Sequence, residues 1–449
     1  MMSKKALTLS EINQAVNFDE PIGPDHEFFT DFSQVRGDFE ERIVYANLNV
    51  DINGEQLSFD HAINGKNKTI FFLGGMRGSG KTSELLKYTQ KLNHADCFFC
   101  VTCNIDEGLD LNNLEYMDIL VFQLEKLTEA LKARNVKIDK EVMTLLNNWF
   151  SETVREVNKS IKGEAGAEIG IETETGIWSI LKILGSLKLG MSGSVERATS
   201  VRTTLKNRFD DFARQFNLFV EEANRAVRNH GLGQEILFIV DGLEKTMTVD
   251  TRRKIVMEET NRIRQIHANT LFTLPIELMR QRQILSQYFF VEMFPFVKIV
   301  DRNGNRVPEA FNRFRDFIYR RIDQKLFEAE DVVNEAIYYS GGSPRELLKI
   351  IKMSNVFADR SQGFISMAAL KQALKRLANQ TAQFIEPEQW AKIREVIRNN
   401  EKQLVTPFDE VVQGLLERII LMEYNDGTFK RVNPVLELSD AYRQLDIGA

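Results

Sequence analysis

The chain of 449 residues has only three cysteines, and it has no excess of positive charge: 58 Lys and Arg stand against 64 Asp and Glu, a net charge of −6. So few cysteines over such a length do not build a disulfide scaffold. The acidic balance removes any bulk electrostatic reason to expect a nucleic-acid partner. No stretch of about 18 apolar residues occurs, so no transmembrane helix is expected. Met1-Met2-Ser3-Lys4-Lys5 opens no apolar signal-peptide core. No period of about 20–50 residues stands out, which argues against a solenoid. The length suggests roughly two to three domains. A cytoplasmic protein is the natural expectation.

The cysteines fall together in Cys97-Phe98-Phe99-Cys100-Val101-Thr102-Cys103, just after His94. The equal spacing allows a metal or redox site. The run is β-prone, however, and a spacing of three on a strand sends successive side chains to opposite faces. Buried strand cysteines are the better reading.

What the chain does have is Gly75-Met76-Arg77-Gly78-Ser79-Gly80-Lys81-Thr82, the G-x-x-x-x-G-K-[ST] spacing of the Walker A motif. It stands between a β-prone run, Lys68–Leu73, and a helix-prone run that continues through Ser83. Glycines let backbone N–H groups turn toward phosphate oxygens. The helix N-terminus adds partial positive charge. Lys81 can reach β- and γ-phosphates, and Thr82 can ligate Mg²⁺. Gly75 through Ser83 are therefore the candidate phosphate-binding residues.

A second run, Glu235-Ile236-Leu237-Phe238-Ile239-Val240-Asp241-Gly242-Leu243-Glu244, is apolar until it ends in carboxylates. The apolar part suits a parallel strand buried on both faces. Carboxylates at the C-terminal end of such a strand face the ligand edge of an open α/β sheet. This is a Walker B pattern. Asp241 is the candidate for holding Mg²⁺, through water. Glu244 is either the group that orients or deprotonates the attacking water or a helix N-cap. Asn269–Pro275 reads as a further strand whose Thr273 contacts the γ-phosphate or water, or satisfies a turn. Arg280 and Arg282 follow, as surface residues or as an arginine finger for a neighbouring subunit.

Residues 309–380 read as helices. Within them Ser343 can cap a helix with Pro344 at its first position. Arg345 then lies in a first turn, where the helix dipole opposes a cation. A nucleotide phosphate is one partner that would justify it; a surface arginine is the other reading. Residues 163–194 are punctuated by glycine and read as a β-hairpin insertion, either a structural arm or oligomer contact or a membrane-touching segment too short to span. Residues 385–449 hold three short helices and a hairpin turning at Asn425-Asp426-Gly427. That order suggests a winged helix, and its near charge balance favours a protein contact over DNA.

These parts resemble P-loop ATPases of the STAND and AAA+ type, near the origin-recognition and initiator ATPases. The resemblance rests on Walker A, on the Asp241–Glu244 form of Walker B and on Gly342-Ser343-Pro344-Arg345, which looks like the G-x-P motif and sensor-2 helix. It covers about residues 25–445. It implies an α/β fold: a three-layer P-loop core with a parallel sheet over 66–305, a helical lid over 306–383 and a winged helix over 384–449. Residues 1–65 become an N-terminal extension, in which Arg36-Gly37-Asp38 looks like the element against the nucleotide base. By position Thr273 looks like a sensor-1 residue. The implied ligands are ATP and Mg²⁺. The implied activity is slow, regulated ATP hydrolysis, with Lys81, Asp241, Glu244, Thr273 and Arg345 as its residues.

Two departures are visible. Gly242 stands where typical AAA+ proteins have a glutamate directly after the Walker B aspartate. No fused effector domain or repeat array accompanies the ATPase. The resemblance therefore implies a separate effector or sensor protein, with homo-oligomers also expected. Stand-alone relatives of this kind look like components of prokaryotic antiviral defence. The alternative is a DNA-binding initiator- or transposition-type ATPase, for which Arg313, Arg315, Arg320, Arg321, Lys371, Lys375 and Arg376 would form the basic stripes. A third reading, a membrane-associated ATPase of the KAP type, meets an insertion too polar to span. No N-K-x-D-like element for guanine is present, and adenine is expected.

Overall fold

The computed structural model describes residues 4–17, 20–53, 56–60, 68–162, 194–246, 248–425 and 427–445. The expected hairpin at 163–194 lies outside these residues, apart from Ser194, the first residue of a helix.

A short antiparallel pair, β1 (Val50–Asn53) and β2 (Gln56–Phe59), precedes the central sheet. That sheet has five parallel strands: β3 (Ile70–Gly75), β4 (Phe98–Asn104), β5 (Glu235–Asp241), β6 (Asn269–Pro275) and β7 (Phe290–Met293). Their spatial order is β4-β5-β6-β3-β7. The P-loop strand β3 is thus flanked by β6 and β7, and β6 separates it from β5. β3, β5 and β6 are buried along their whole length; β3 and Ile236–Val240 of β5 are apolar runs that suit this, whereas β6 also buries Asn269, Thr270 and Thr273.

Alternation along the strands divides the core. Phe71, Leu73, Leu237, Ile239 and Leu271 pack on one face against Leu85, Tyr88 and Leu92 of α1 (Lys81–Leu92) and against the 39–59 region. Ile70, Phe72, Phe238, Val240 and Phe272 face the other way. There they meet α2 (Tyr116–Ala133), α3 (Lys140–Lys162), α4 (Ser194–Asn207) and α5 (Phe209–Asn229). Residues of about 196–229 read as a long helical region; the structure forms it from two helices that meet at Arg208, whose φ is −115° and ψ 32°. The break turns Phe212 toward Trp149 and Phe150 in the core. Cys97 and Cys103 are buried and Cys100 half-buried, all as free thiols.

A second core belongs to α6 (Pro308–Arg321), α7 (Glu330–Tyr339), α8 (Pro344–Phe357) and α9 (Met367–Ala382). Residues 6–16 join it, through Ala6 N–H donating to the Arg321 carbonyl (2.8 Å) and Asn355 donating to the Leu9 carbonyl (3.0 Å). After α10 (Pro387–Glu401) and α11 (Glu410–Glu417) comes a hairpin, β8 (Leu421–Tyr424) and β9 (Phe429–Val432). This C-terminal part extends the main core through residues such as Val412, Leu416 and Met422. No helix among the described residues is long and apolar enough to cross a membrane.

Candidate functional site

The loop after β3 enters α1 through Gly80, whose φ of +97° is left-handed and suits glycine. Lys81 turns back under this loop. Its Nζ donates to the carbonyls of Gly75 (2.9 Å) and Met76 (3.0 Å), and the residue is buried. Burial pushes the Lys81 pKa down; Glu244, Asp241 and Glu277 oppose that, and Arg345 adds to it. Ser79 is also buried, with its hydroxyl unpartnered among the described residues.

Asp241 ends β5 at the same edge and is buried. Gly242, at φ +104°, starts a short turn that brings Glu244 back over it. Burial raises the Asp241 pKa, Glu244 raises it further, and the hydroxyls of Thr82 and Thr273 pull it down. Its Oδ1 has no partner among the described residues. Thr273, in the middle strand β6, accepts from the Gly242 N–H (3.2 Å) and donates to Glu244 Oε2 (3.4 Å). The strand order explains the meeting: β6 lies between β3, whose following loop leads to Lys81, and β5, which ends in Asp241.

The helical bundle closes the other side. Ser343 accepts from the Glu346 N–H as the cap of α8, with Pro344 at its first turn. The same hydroxyl donates to the Gly78 carbonyl (3.2 Å). A Cβ placed on Gly78 would sit 3.0 Å from Arg345 Cβ, so the first turn of α8 rests directly on the P-loop. Behind it, the Tyr424 hydroxyl of the C-terminal hairpin donates to the Gly341 carbonyl.

Between these elements lies a cavity of about 480 Å³. It is bordered by Arg77, Gly78, Gly80, Lys81, Thr82 and Ser83 of the P-loop, by Glu244, Lys245 and Thr246, and by Pro344 and Arg345. A smaller cavity adjoins it, bordered by Ile22, Phe28, Phe29, Arg36, Gly80, Ser83 and Pro344 among others. The structure thus brings Lys81, Thr82, Asp241, Glu244, Thr273 and Arg345 into one neighbourhood.

Arg36 lies at the smaller cavity, packed behind the P-loop. Its guanidinium is 3.9 Å from the Phe294 ring centroid and donates to the Pro295 carbonyl (2.7 Å). Burial lowers its pKa to about 10, against the pull of Glu84. Arg280 and Arg282 are engaged within the chain, with Glu410 (3.0 Å) and Glu292 (3.3 Å). Of the basic residues considered for DNA, Arg321 is buried and cannot face a duplex, which corrects that expectation at this position.

Sequence reasoning missed several residues at the cavities. Asn17, Glu20, Pro21 and Ile22 border the main one, where the Ile22 N–H donates to the Ser83 hydroxyl (3.4 Å). Phe317 and Arg321 border both. A signal for Arg321 exists: Phe311, Phe314, Phe317, Ile318 and Arg321 share the helical spacing of one buried face.

The donor set suits Mg²⁺. Asp241 Oδ1 and the Thr82 hydroxyl are hard oxygens, and Mg²⁺ commonly takes one or two carboxylates and completes its shell with water and phosphate. Among the described residues no cluster of three or more His, Cys, Asp or Glu forms a site on its own. Compared with protein-family models the chain gives no match, and compared with curated protein sequences it gives none either.

Proposed function

We propose that the chain binds ATP with Mg²⁺, hydrolyses it slowly, and uses its nucleotide state to control a separate effector or sensor protein. The observation that carries this reading is the convergence of Lys81, Thr82, Glu244 and Arg345 on one cavity, with buried Asp241 beside Glu244. In this reading the P-loop amides hold the phosphates, and Lys81 exchanges its two carbonyl partners for phosphate oxygens. Thr82 and Asp241 hold Mg²⁺, which neutralises charge on the phosphates when bound. Glu244, fixed by the Thr273 hydroxyl, orients the water. The glycine after Asp241 leaves that role to a residue on a turn, which fits slow turnover.

The same reading makes α6–α9 a lid and the C-terminal helices and hairpin a winged helix, as in STAND and AAA+ ATPases, with antiviral defence as one setting for the effector. Arg345 would meet the terminal phosphate of ATP and not of ADP, so the lid would report which nucleotide is bound. The strand order and the packing of α8 on the P-loop support it.

The test is nucleotide binding and phosphate release by the wild type, followed by mass measurement of Glu244→Gln with ADP and with ATP. Glu244→Gln should bind ATP and lose about 10²-fold or more of turnover. A discrete assembly formed only with ATP would indicate an oligomeric machine; an unchanged mass would indicate an intramolecular switch. A wild-type protein that binds neither nucleotide overturns the reading.

A further inference from the structure

Arg321 closes α6 and is only 3 % exposed. Its Nη1 donates to two carbonyls, of Phe28 and of Phe317, both at 2.8 Å. Its Cζ lies 3.9 Å from the Phe317 ring centroid and 5.2 Å from that of Phe28. Carbonyl dipoles and ring faces orient a guanidinium but carry no net negative charge. Among the described residues no carboxylate pairs with Arg321. Asp316 is bound to Arg320 instead (2.8 Å), and Arg320 is a like charge. Arg202, another buried arginine, shows the usual solution, a two-point pairing with Asp118 at 2.9 and 2.6 Å. A buried cation without an anion is costly, and proteins retain one where something else supplies the charge. Burial accordingly lowers the Arg321 pKa to about 9.

Its position says what that something is. Arg321 borders the main cavity together with Lys81, Thr82 and Arg345. It also borders the smaller cavity, with Gly80, Ser83 and Pro344 and without Lys81 or Glu244; the carboxylates there, Asp31 and Glu84, are paired with Lys87. It therefore lies beside the start of α1, where Gly80 and Ser83 border both cavities and Glu244 borders only the larger one. A phosphate further from Glu244 than the terminal one would meet it there.

We propose that Arg321 is a nucleotide ligand, contacting the α-phosphate and, through the Phe28 carbonyl, tying the N-terminal segment to the occupied site. This rests on the P-loop reading above. The contact would join the nucleotide to α6 and to the segment around Phe28, which already meet through Arg320 and the Glu27 carbonyl (3.3 Å). The N-terminal segment already bridges the two cores, since Ala6 pairs beside Arg321 and Ile22 meets Ser83.

The experiment compares Arg321→Met with wild type in competition against a fluorescent ADP analogue, using ADP, AMP and adenosine. ADP and AMP should each weaken about tenfold or more, because both carry the α-phosphate, while adenosine stays unchanged. Equal weakening of all three would make Arg321 a shape element only and overturn the proposal, as would no change in any. Arg321→Lys keeps the charge without the planar fork and should lose about threefold to tenfold for ADP, again with adenosine unchanged. It decides the matter if Arg321→Met does not fold, and wild-type affinity for ADP in that variant would count against the contact. Failure of the wild type to bind ADP would instead remove the P-loop reading itself.

Discussion

Replacing Asp241 by Asn removes a charge from a site that opposes it. The carboxylate is buried, its Oδ1 lacks a partner among the described residues, and Glu244 crowds it with like charge. An unsatisfied buried polar atom costs about 1–3 kcal/mol, more when charged. Asp241→Asn should therefore stabilise the nucleotide-free protein by about 1–2 kcal/mol. For a cooperative unit of roughly 200 residues, each kcal/mol moves the melting temperature by about 2–4 °C. The pH dependence has a definite sign. Burial and Glu244 raise the Asp241 pKa in the folded state, so the folded state binds the proton more tightly than the unfolded one. Stability then falls as pH rises from the ordinary carboxylate range through the raised pKa. The variant escapes this loss, so its advantage should be larger at pH 7.5 than at pH 5. Function runs the other way: Mg²⁺ added to ATP should raise the melting temperature of the wild type further and do little for the variant. Thermal melts at two pH values, with ATP and with or without Mg²⁺, test both halves. A nucleotide-free variant that melts below the wild type, or one that gains the same Mg²⁺-dependent shift, would refute the reasoning.

Lys81→Ala should weaken ADP and ATP about 30-fold or more, since it removes the buried cation that would face the phosphates in the proposed reading; a change below about threefold in a fluorescence titration would contradict its role. Arg345→Ala should weaken ATP more than ADP, and equal losses would argue against a contact to the terminal phosphate. Gly342→Ala should destabilise by about 3 kcal/mol or more, because φ is +83° and the new Cβ would lie 1.9 Å from the Val297 carbonyl oxygen; an unchanged melting curve would show that the turn before α8 yields easily. Burial pushes the Cys97 thiol up to about 12 and holds Cys100 and Cys103 high as well. None of the three should react quickly with a thiol reagent at pH 8 in the folded protein, and rapid labelling of any would refute their burial as inert core groups.

The strand-loop-helix edge that carries the glycine-rich loop is legible in sequence because its residues have few other uses. The P-loop pattern needs glycines at fixed offsets, and β5 is an unbroken apolar run that stops at Asp241. The cap Ser343-Pro344 was readable for the same reason, since local hydrogen bonding dictates it. β7 was not, because four residues beginning with the exposed Phe290 carry almost no period. The sides of the cavities were hidden too. Asn17–Ile22 have no regular pattern, and their place follows from contacts made far away by Ala6 and Ser83. By charge type Arg321 looks like part of a basic stripe, whereas its helical phase puts it on the buried face of α6. Arg280 and Arg282 look free in sequence, yet their partners Glu410 and Glu292 come from other elements.

The electrostatics of the cavity explain why a nucleotide could act as a switch here. Two like-charge pairs meet in the site. Arg345 adds to the burial that disfavours the charge on Lys81, against the larger pull of Glu244, Asp241 and Glu277, and Glu244 disfavours the charge on buried Asp241. Lys81 sits on the core, whereas Arg345 sits on the bundle, so their repulsion acts across the contact between α8 and the P-loop. A phosphate chain placed between the cations, with Mg²⁺ between the carboxylates, would relieve both at once. Charge repulsion in a low-dielectric site is strong, so the relief would favour the closed arrangement of bundle on core. ADP lacks the terminal phosphate that Arg345 would meet in the proposed reading. A ligand shifts a two-state equilibrium only by its differential affinity for the two states. Here the difference between ATP and ADP would fall on a residue carried by the bundle, and the Tyr424–Gly341 contact passes any movement of α8 to the C-terminal hairpin.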